Sequence, residues 1–101
     1  MKESALCPRL AKAMELIGKR WTALIIYQLL DGPQRFNAIE SALPISGRLL
    51  SERLKELEKE SIVERKVYSE VPIRVEYSLT EKGSSLEGAV REIEIWAQKW
   101  L

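Results

Sequence analysis

The first apolar residues of this chain, Leu6, Leu10, Met14 and Ile17, fall three or four apart and predict a short amphipathic helix that Gly18 ends. Pro8 suits its first position, where the missing N–H would have no partner in any case. Residues 21–30 are apolar on nearly every side, through Leu24, Ile25, Ile26, Tyr27, Leu29 and Leu30, as expected of a central buried helix. Asp31-Gly32-Pro33 stops it. A third helix, about 35–42, turns Phe36, Ile39 and Leu43 to the core and is closed by Pro44. Ser46 is then a natural N-cap, and Leu50, Leu54 and Leu57 form one buried stripe behind it. The short connection between these last two helices reads as the turn of a helix-turn-helix.

The period then changes to two. Residues 62–68 and 73–79 are rich in β-branched and aromatic side chains. In the second run Ile73, Val75, Tyr77 and Leu79 take one face, and Arg74, Glu76 and Ser78 the other. Ser69-Glu70-Val71-Pro72 is short enough for a hairpin tip, and Pro72 interrupts the ladder there. A helical period returns in one long helix over about 84–101, where Leu86, Val90, Ile93, Trp96 or Ala97, and Trp100 follow a near-heptad spacing. That is more apolar surface than one face buries within its own domain, which favours pairing with a second copy over folding back on the core. Two tryptophans four apart point the same way, because aromatics are enriched in interface cores.

The fold class expected is α+β and mostly α: a winged helix-turn-helix with extra N- and C-terminal helices, occupying residues 1–101 as one domain. The order helix, then two-stranded ribbon, is that of a DNA reader. The N-terminal half of the fourth helix carries Arg48, Arg53 and Lys55 against Glu52, and Ser46, Gly47 and Ser51 keep that leading end small. Its other half reverses sign, with Glu56, Glu58 and Glu60 against Lys59. Such a helix suits entry into a major groove leading end first, while Lys66 and Arg74 on the ribbon, with Arg35, reach phosphates or the adjacent minor groove. Taken alone, the helix also fits a solvated surface laced with Glu/Lys pairs.

Charge adds little to this. With 16 Lys and Arg against 15 Asp and Glu, the net charge is +1, far from the strongly basic footprint of many nucleic-acid binders. The distribution matters more, since Lys2, Arg9, Lys12, Lys19 and Arg20 crowd the first 22 residues against two glutamates. There is no histidine and one cysteine, which excludes histidine acid–base chemistry, Ser-His triads and zinc patterns built on two or more Cys/His ligands. The five glycines are isolated, so no loop cradles phosphate. No enzymatic activity, metal or cofactor is expected. No apolar run approaches the ~20 residues of a membrane span, and the N-terminus lacks the apolar region of a signal peptide. A lone thiol fits a reducing cytoplasm.

Across residues 7–100 the chain resembles the HxlR family of winged-helix transcription regulators, relatives of MarR. The resemblance rests on Cys7-Pro8, Ile17-Gly18-Lys19-Arg20-Trp21-Thr22, Gly32-Pro33-Gln34-Arg35-Phe36 and Ile45-Ser46. It continues through Leu50-Ser51-Glu52-Arg53-Leu54-Lys55-Glu56-Leu57, then Val71-Pro72-Ile73-Arg74-Val75-Glu76-Tyr77-Ser78-Leu79-Thr80-Glu81-Lys82-Gly83, and closes on Trp96-Ala97. It implies a homodimer built through the first and last helices, with Leu6, Leu10, Val90, Ile93, Trp96, Ala97 and Trp100 at the interface and two recognition helices facing a palindromic double-stranded operator. It also implies control through the N-terminal cysteine, since the members nearest in appearance are repressors that sense quinones, diamide or aldehydes. The chain departs from them in having no cysteine toward its C-terminal end to serve as a partner for an intersubunit disulfide.

Cys7 can be read from physics as well. It precedes Pro8 at the expected start of a helix, where the dipole favours thiolate, and Arg9 and Lys12 add positive charge. That setting lowers a thiol pKa and raises its reactivity toward a small electrophile such as a quinone or aldehyde. The alternative is a small packed hydrophobe, since free cysteine is among the most buried residue types. Two other functional readings stay open: a constitutive or ligand-gated regulator with a structural Cys7, and a winged-helix module for protein–protein contact.

Overall fold

A computed structural model describes residues 7–101, so the expected interface residue Leu6 lies outside the described residues. The element order is α1 (Pro8–Ile17), α2 (Thr22–Leu29), α3 (Phe36–Ala42), α4 (Gly47–Lys59), β1 (Val63–Tyr68), β2 (Arg74–Leu79), α5 (Glu81–Ser84) and α6 (Glu87–Trp100). α1 starts with Pro8 in its first turn and ends at Gly18, as its spacing predicted. Ser46 caps α4 by accepting a hydrogen bond from the Leu49 N–H at 3.1 Å, which satisfies one of the donors a helix start leaves orphaned. The mostly helical α+β architecture with a small wing is the one the apolar periodicity implied.

The core is one cluster. Ile25, Ile26 and Leu29 of α2, Ile39 of α3, and Leu50, Leu54 and Leu57 of α4 meet Ile45, Ile62 and Val63. Other residues only lean on it: Leu16 and Ile17 from α1, Tyr77 and Leu79 from β2, Leu86 and Val90 from the C-terminal segment. The central helix is less enclosed than its composition suggests, because Leu24 is half exposed and Tyr27 only partly covered.

β1 and β2 pair antiparallel, with Val63 opposite Leu79 and Tyr68 opposite Arg74. Ile73, expected in the second strand, precedes it and is largely exposed. A third segment joins the ribbon. Gln34 and Tyr77 exchange backbone hydrogen bonds at 2.9 and 2.8 Å, and the Gln34 side-chain amide donates to the Gln28 carbonyl at 2.7 Å. This bridge anchors the wing to the end of α2. Sequence pattern gave no sign of it, since one residue between Pro33 and Arg35 has no period.

The C-terminal stretch is two helices rather than one. Thr80 caps the single turn α5 by accepting from the Gly83 N–H at 3.1 Å. Gly83 lies so close to the Ile62 carbonyl that a Cβ would stand 2.2 Å from its oxygen. The chain then turns at Ser85–Leu86 and restarts as α6. The expected helix from about residue 84 therefore begins at Glu87, because Thr80 and Gly83 fasten the preceding turn to the wing.

Candidate nucleic-acid interface and cysteine arm

Burial of Leu50, Leu54 and Leu57 fixes the rotation of α4. At 3.6 residues per turn, Arg48, Ser51, Glu52 and Lys55 then share the opposite, outward face. Arg48 is 93% exposed and pairs only loosely with Glu52, at 3.8 Å. Lys55 is exposed and Ser51 half-buried. Three of the six α4 residues expected to meet DNA thus stand together.

The other three have local work. Ser46 spends its hydroxyl oxygen on the cap. Gly47 faces α3, where an added Cβ would meet the flexible carboxylate end of Glu40 at 2.6 Å and Phe36 at an ordinary 3.8 Å. Arg53 flanks the core stripe, with its side chain 17% exposed. It donates to the Arg20 carbonyl at 3.2 Å and meets Glu56 at 3.5 Å. It therefore ties the recognition helix to the link between α1 and α2.

On the wing, Arg74 is equally committed. It donates to Glu70 at 2.9 Å and to Glu76, and its guanidinium lies 3.8 Å above the Tyr68 ring. These hydrogen bonds push the Arg74 pKa further up and, as the largest influence, hold the Glu70 carboxyl below the usual range, with the charge of Arg35 adding to the effect. Arg35, exposed at the start of α3, thus belongs to the electrostatics of the wing tip. Lys66 pairs loosely with Glu64 at 3.7 Å with both side chains half exposed. Arg65 is exposed and has no ion pair among the described residues.

The terminal helices look different. All of α6 is half-buried or exposed, including Ile93, Trp96 and Trp100, while Val90 and Ala97 are half-buried. A groove of about 310 Å³ runs between α2 and α6, walled by Leu24, Tyr27, Val90, Ile93 and Ala97. Beneath it Tyr27 donates to Glu94, and Arg91 stacks over the Tyr27 ring at 5.2 Å. The carboxylate raises the Tyr27 pKa. Leu10 and Met14 of α1 are also exposed. Cys7 occupies the N-cap position of α1 and is exposed, with no capping hydrogen bond from its side chain among the described residues. Three and seven residues before Leu10 and Met14, it continues their stripe.

A helix-turn-helix, a ribbon pinned to it and two uncovered terminal helices match a known pattern. The family model for HxlR-like helix-turn-helix proteins matches residues 16–101. The chain belongs to the HxlR-like helix-turn-helix family. It is 56% identical to the helix-turn-helix-type transcriptional regulator YvaP of Bacillus subtilis strain 168 across 100% of this chain and 94% of that one. YodB, a transcriptional regulator of the same organism, is 48% identical over 96% of this chain and 88% of its own length. The solved reduced form of YodB superposes with a TM-score of 0.84 at 49% identity, covering 94% of both chains. Its quinone-bound form gives 0.81 at 47% identity, over 94% of this chain and all of that one. The redox regulator HypR in its oxidised form gives 0.86 at 40% identity, over 92% of this chain and 96% of that one. This HxlR-type chain is thus a transcriptional regulator by its relatives. Among its described residues no helix is long and apolar enough to cross a membrane.

Proposed function

We propose that this chain is a homodimeric, sequence-specific DNA-binding repressor of the cytoplasm that answers electrophiles and oxidants through Cys7. The observation that carries the reading is the position of Cys7: an exposed sulfur in line with Leu10 and Met14, on the bare apolar face of α1. Chemistry at that sulfur acts on whatever covers the face. In a dimer joined through α1 and α6, the cover is the partner subunit. The dimer's two recognition helices must present Arg48, Ser51 and Lys55 to half-sites about one helical turn, ~34 Å, apart. A change at the seam alters that spacing. The similarity to YodB, which has been solved in quinone-bound and diamide-treated forms, supports the choice of stimulus.

Three products are chemically open to the single thiol. The thiolate sulfur adds to a quinone ring carbon, and one quinone oxygen takes a proton from solvent. The hydrogen on the attacked carbon passes as a proton to the other oxygen, leaving a hydroquinone thioether with no further oxidant. A mixed disulfide with a small thiol, or a Cys7–Cys7 bridge across the dimer, needs a two-electron oxidant; diamide serves and is reduced to the hydrazine. The bridge further requires Cα atoms within about 7 Å. Alkylation has the fewest requirements and ranks first.

The test is operator affinity of the wild type and of Cys7→Ser, with and without a benzoquinone, on a site selected from random DNA with reduced protein. Serine keeps the shape but not the nucleophile. Cys7→Ser should bind as the wild type does and ignore the quinone, while the wild type releases DNA. If both proteins lose DNA equally, or neither does, Cys7 is structural and the sensing role is wrong.

A further inference from the structure

A second cleft, of about 380 Å³, opens along α1 on the side turned away from Cys7 and Met14. Ala13, Leu16 and Ile17 form one wall, and Ile62 and Leu86 face them. The lining also includes three cationic residues, Arg9, Lys12 and Lys82, and one acidic residue, Glu60. Arg9 and Lys12 are exposed and have no ion pair among the described residues. Lys82 is fixed in place. Its ammonium donates to the Glu60 carbonyl at 2.7 Å, at the end of α4 where the helix dipole favours a cation. An ammonium has three donors, so two remain to serve a ligand.

We infer that this cleft binds a small amphipathic anion, a single carboxylate on an apolar body the size of a medium-chain fatty acid. The apolar floor and the cationic lip complement the two ends of such a molecule. The volume lies at the lower end of the ~300–1,000 Å³ of small-molecule sites. A neutral molecule with the same tail uses only the floor; a free inorganic anion uses only the lip. The consequence for regulation rests on the dimeric DNA-binding reading: α1 lies between this cleft and the Leu10–Met14 face, so a bound molecule braces the dimer arm against the end of the recognition helix. The binding itself does not depend on that reading.

The experiment is a direct titration of the full chain with octanoate, followed by methyl NMR of Leu16, Ile17, Ile62 and Leu86, with octan-1-ol and inorganic phosphate as separate arms. Octanoate should shift these methyls saturably, octanol should bind about tenfold more weakly (~1.4 kcal/mol), and phosphate should leave them unmoved. Arg9→Ala with Lys12→Ala should weaken octanoate by about the same factor. Both positions are exposed, so the variant should keep the wild-type fold, read from its circular dichroism, and Lys82→Ala gives an independent check on the lip. The inference is overturned if octanoate leaves these methyls unmoved, if it shifts Leu24, Val90 and Ile93 in the other groove instead, if octanol matches it, or if the variants bind it as well as wild type. No DNA enters the measurement, so a failed operator assay and an empty cleft are separate results.

Discussion

α4 and α6 have 13 and 14 residues and each carries an apolar stripe at helical spacing, yet they end in opposite surroundings. In α4 the stripe is closed: Leu50, Leu54 and Leu57 are 0, 1 and 1% exposed. In α6 it is open: Ile93, Trp96 and Trp100 are 61, 55 and 65% exposed. The cause is position. α4 meets α2, α3 and the start of the wing, which together cover one whole face. α6 reaches the core only through Val90, just past Leu86, and then runs beyond it. Periodicity shows which face of a helix is apolar. What covers that face depends on everything else in the chain, or on a second chain.

The largest effect that can break this contrast comes from charging the open stripe. Ile93→Glu with Trp96→Glu should leave the core of the monomer intact and abolish the dimer, because each subunit would bring two unpaired charges to the seam, at roughly 3–5 kcal/mol for each one left uncompensated. Sedimentation velocity should show half the mass, with the helical circular dichroism retained. A dimer of unchanged mass would mean that α6 is not the seam. Leu54→Ala is the counterpart in the closed stripe. It should cost about 2–5 kcal/mol in denaturant unfolding while leaving the assembly state of the folded fraction alone.

The same contrast decides what could be read in advance. α1, α3, α4 and β2 were legible from their periods, α2 from an unbroken apolar run and β1 from its β-branched and aromatic content, with stops such as Gly18, Asp31-Gly32-Pro33, Pro44 or the Ser46 cap. The break before α6 was not, since it depends on Thr80 and Gly83 meeting Ser61 and Ile62, about twenty residues earlier in the chain. The Gln34–Tyr77 bridge was hidden for the same reason. Within the candidate interface, helical spacing placed Arg48, Ser51 and Lys55 on one face. Helical spacing also put Arg53 beside the core stripe, where a pair with Glu56 or Glu60 suits it. Its bond to the Arg20 carbonyl and the hold of Glu70 and Glu76 on Arg74 show only in the folded chain, because composition cannot tell a free arginine from a committed one.

Arg48 and Arg74 therefore form a sharper pair for DNA binding. Arg48 is open and close to the helix start, so Arg48→Ala should cost roughly 1–3 kcal/mol of operator affinity and relax preference at the base pair it reads. Arg74→Ala should change preference little, because its donors already serve Glu70 and Glu76. Its signature should be a less ordered wing tip, read from amide exchange at residues 68–74. Quantitative operator and random-site binding of the two variants separates these outcomes. Equal loss of affinity with unchanged preference would remove Arg48 from base recognition.

The smallest effect expected is a difference in pH response between the wing and the α2–α6 joint. Hydrogen bonds from Arg74 hold the Glu70 carboxyl below its usual range in the folded chain. A lowered folded value contributes stability in full above the unfolded pKa, and that contribution is lost as pH falls through the lowered value. The wing tip should thus loosen on acidification below about 4.3, the ordinary glutamate value. Tyr27 has the opposite sign. Its hydrogen bond to the Glu94 carboxylate raises its pKa, so its contribution is full below the ordinary tyrosine value of about 10 and is lost as pH rises through the raised one. Acid should therefore increase amide exchange at Tyr68–Arg74 first, and alkali at the contact of α2 with α6. Exchange rates corrected for intrinsic pH dependence test this, with Glu70→Gln and Tyr27→Phe as controls that should each flatten only their own limb. If Glu70→Gln leaves the acid limb unchanged, the Glu70–Arg74 pair does not hold the wing tip, and its order comes from the β1–β2 pairing that ends at Tyr68 and Arg74.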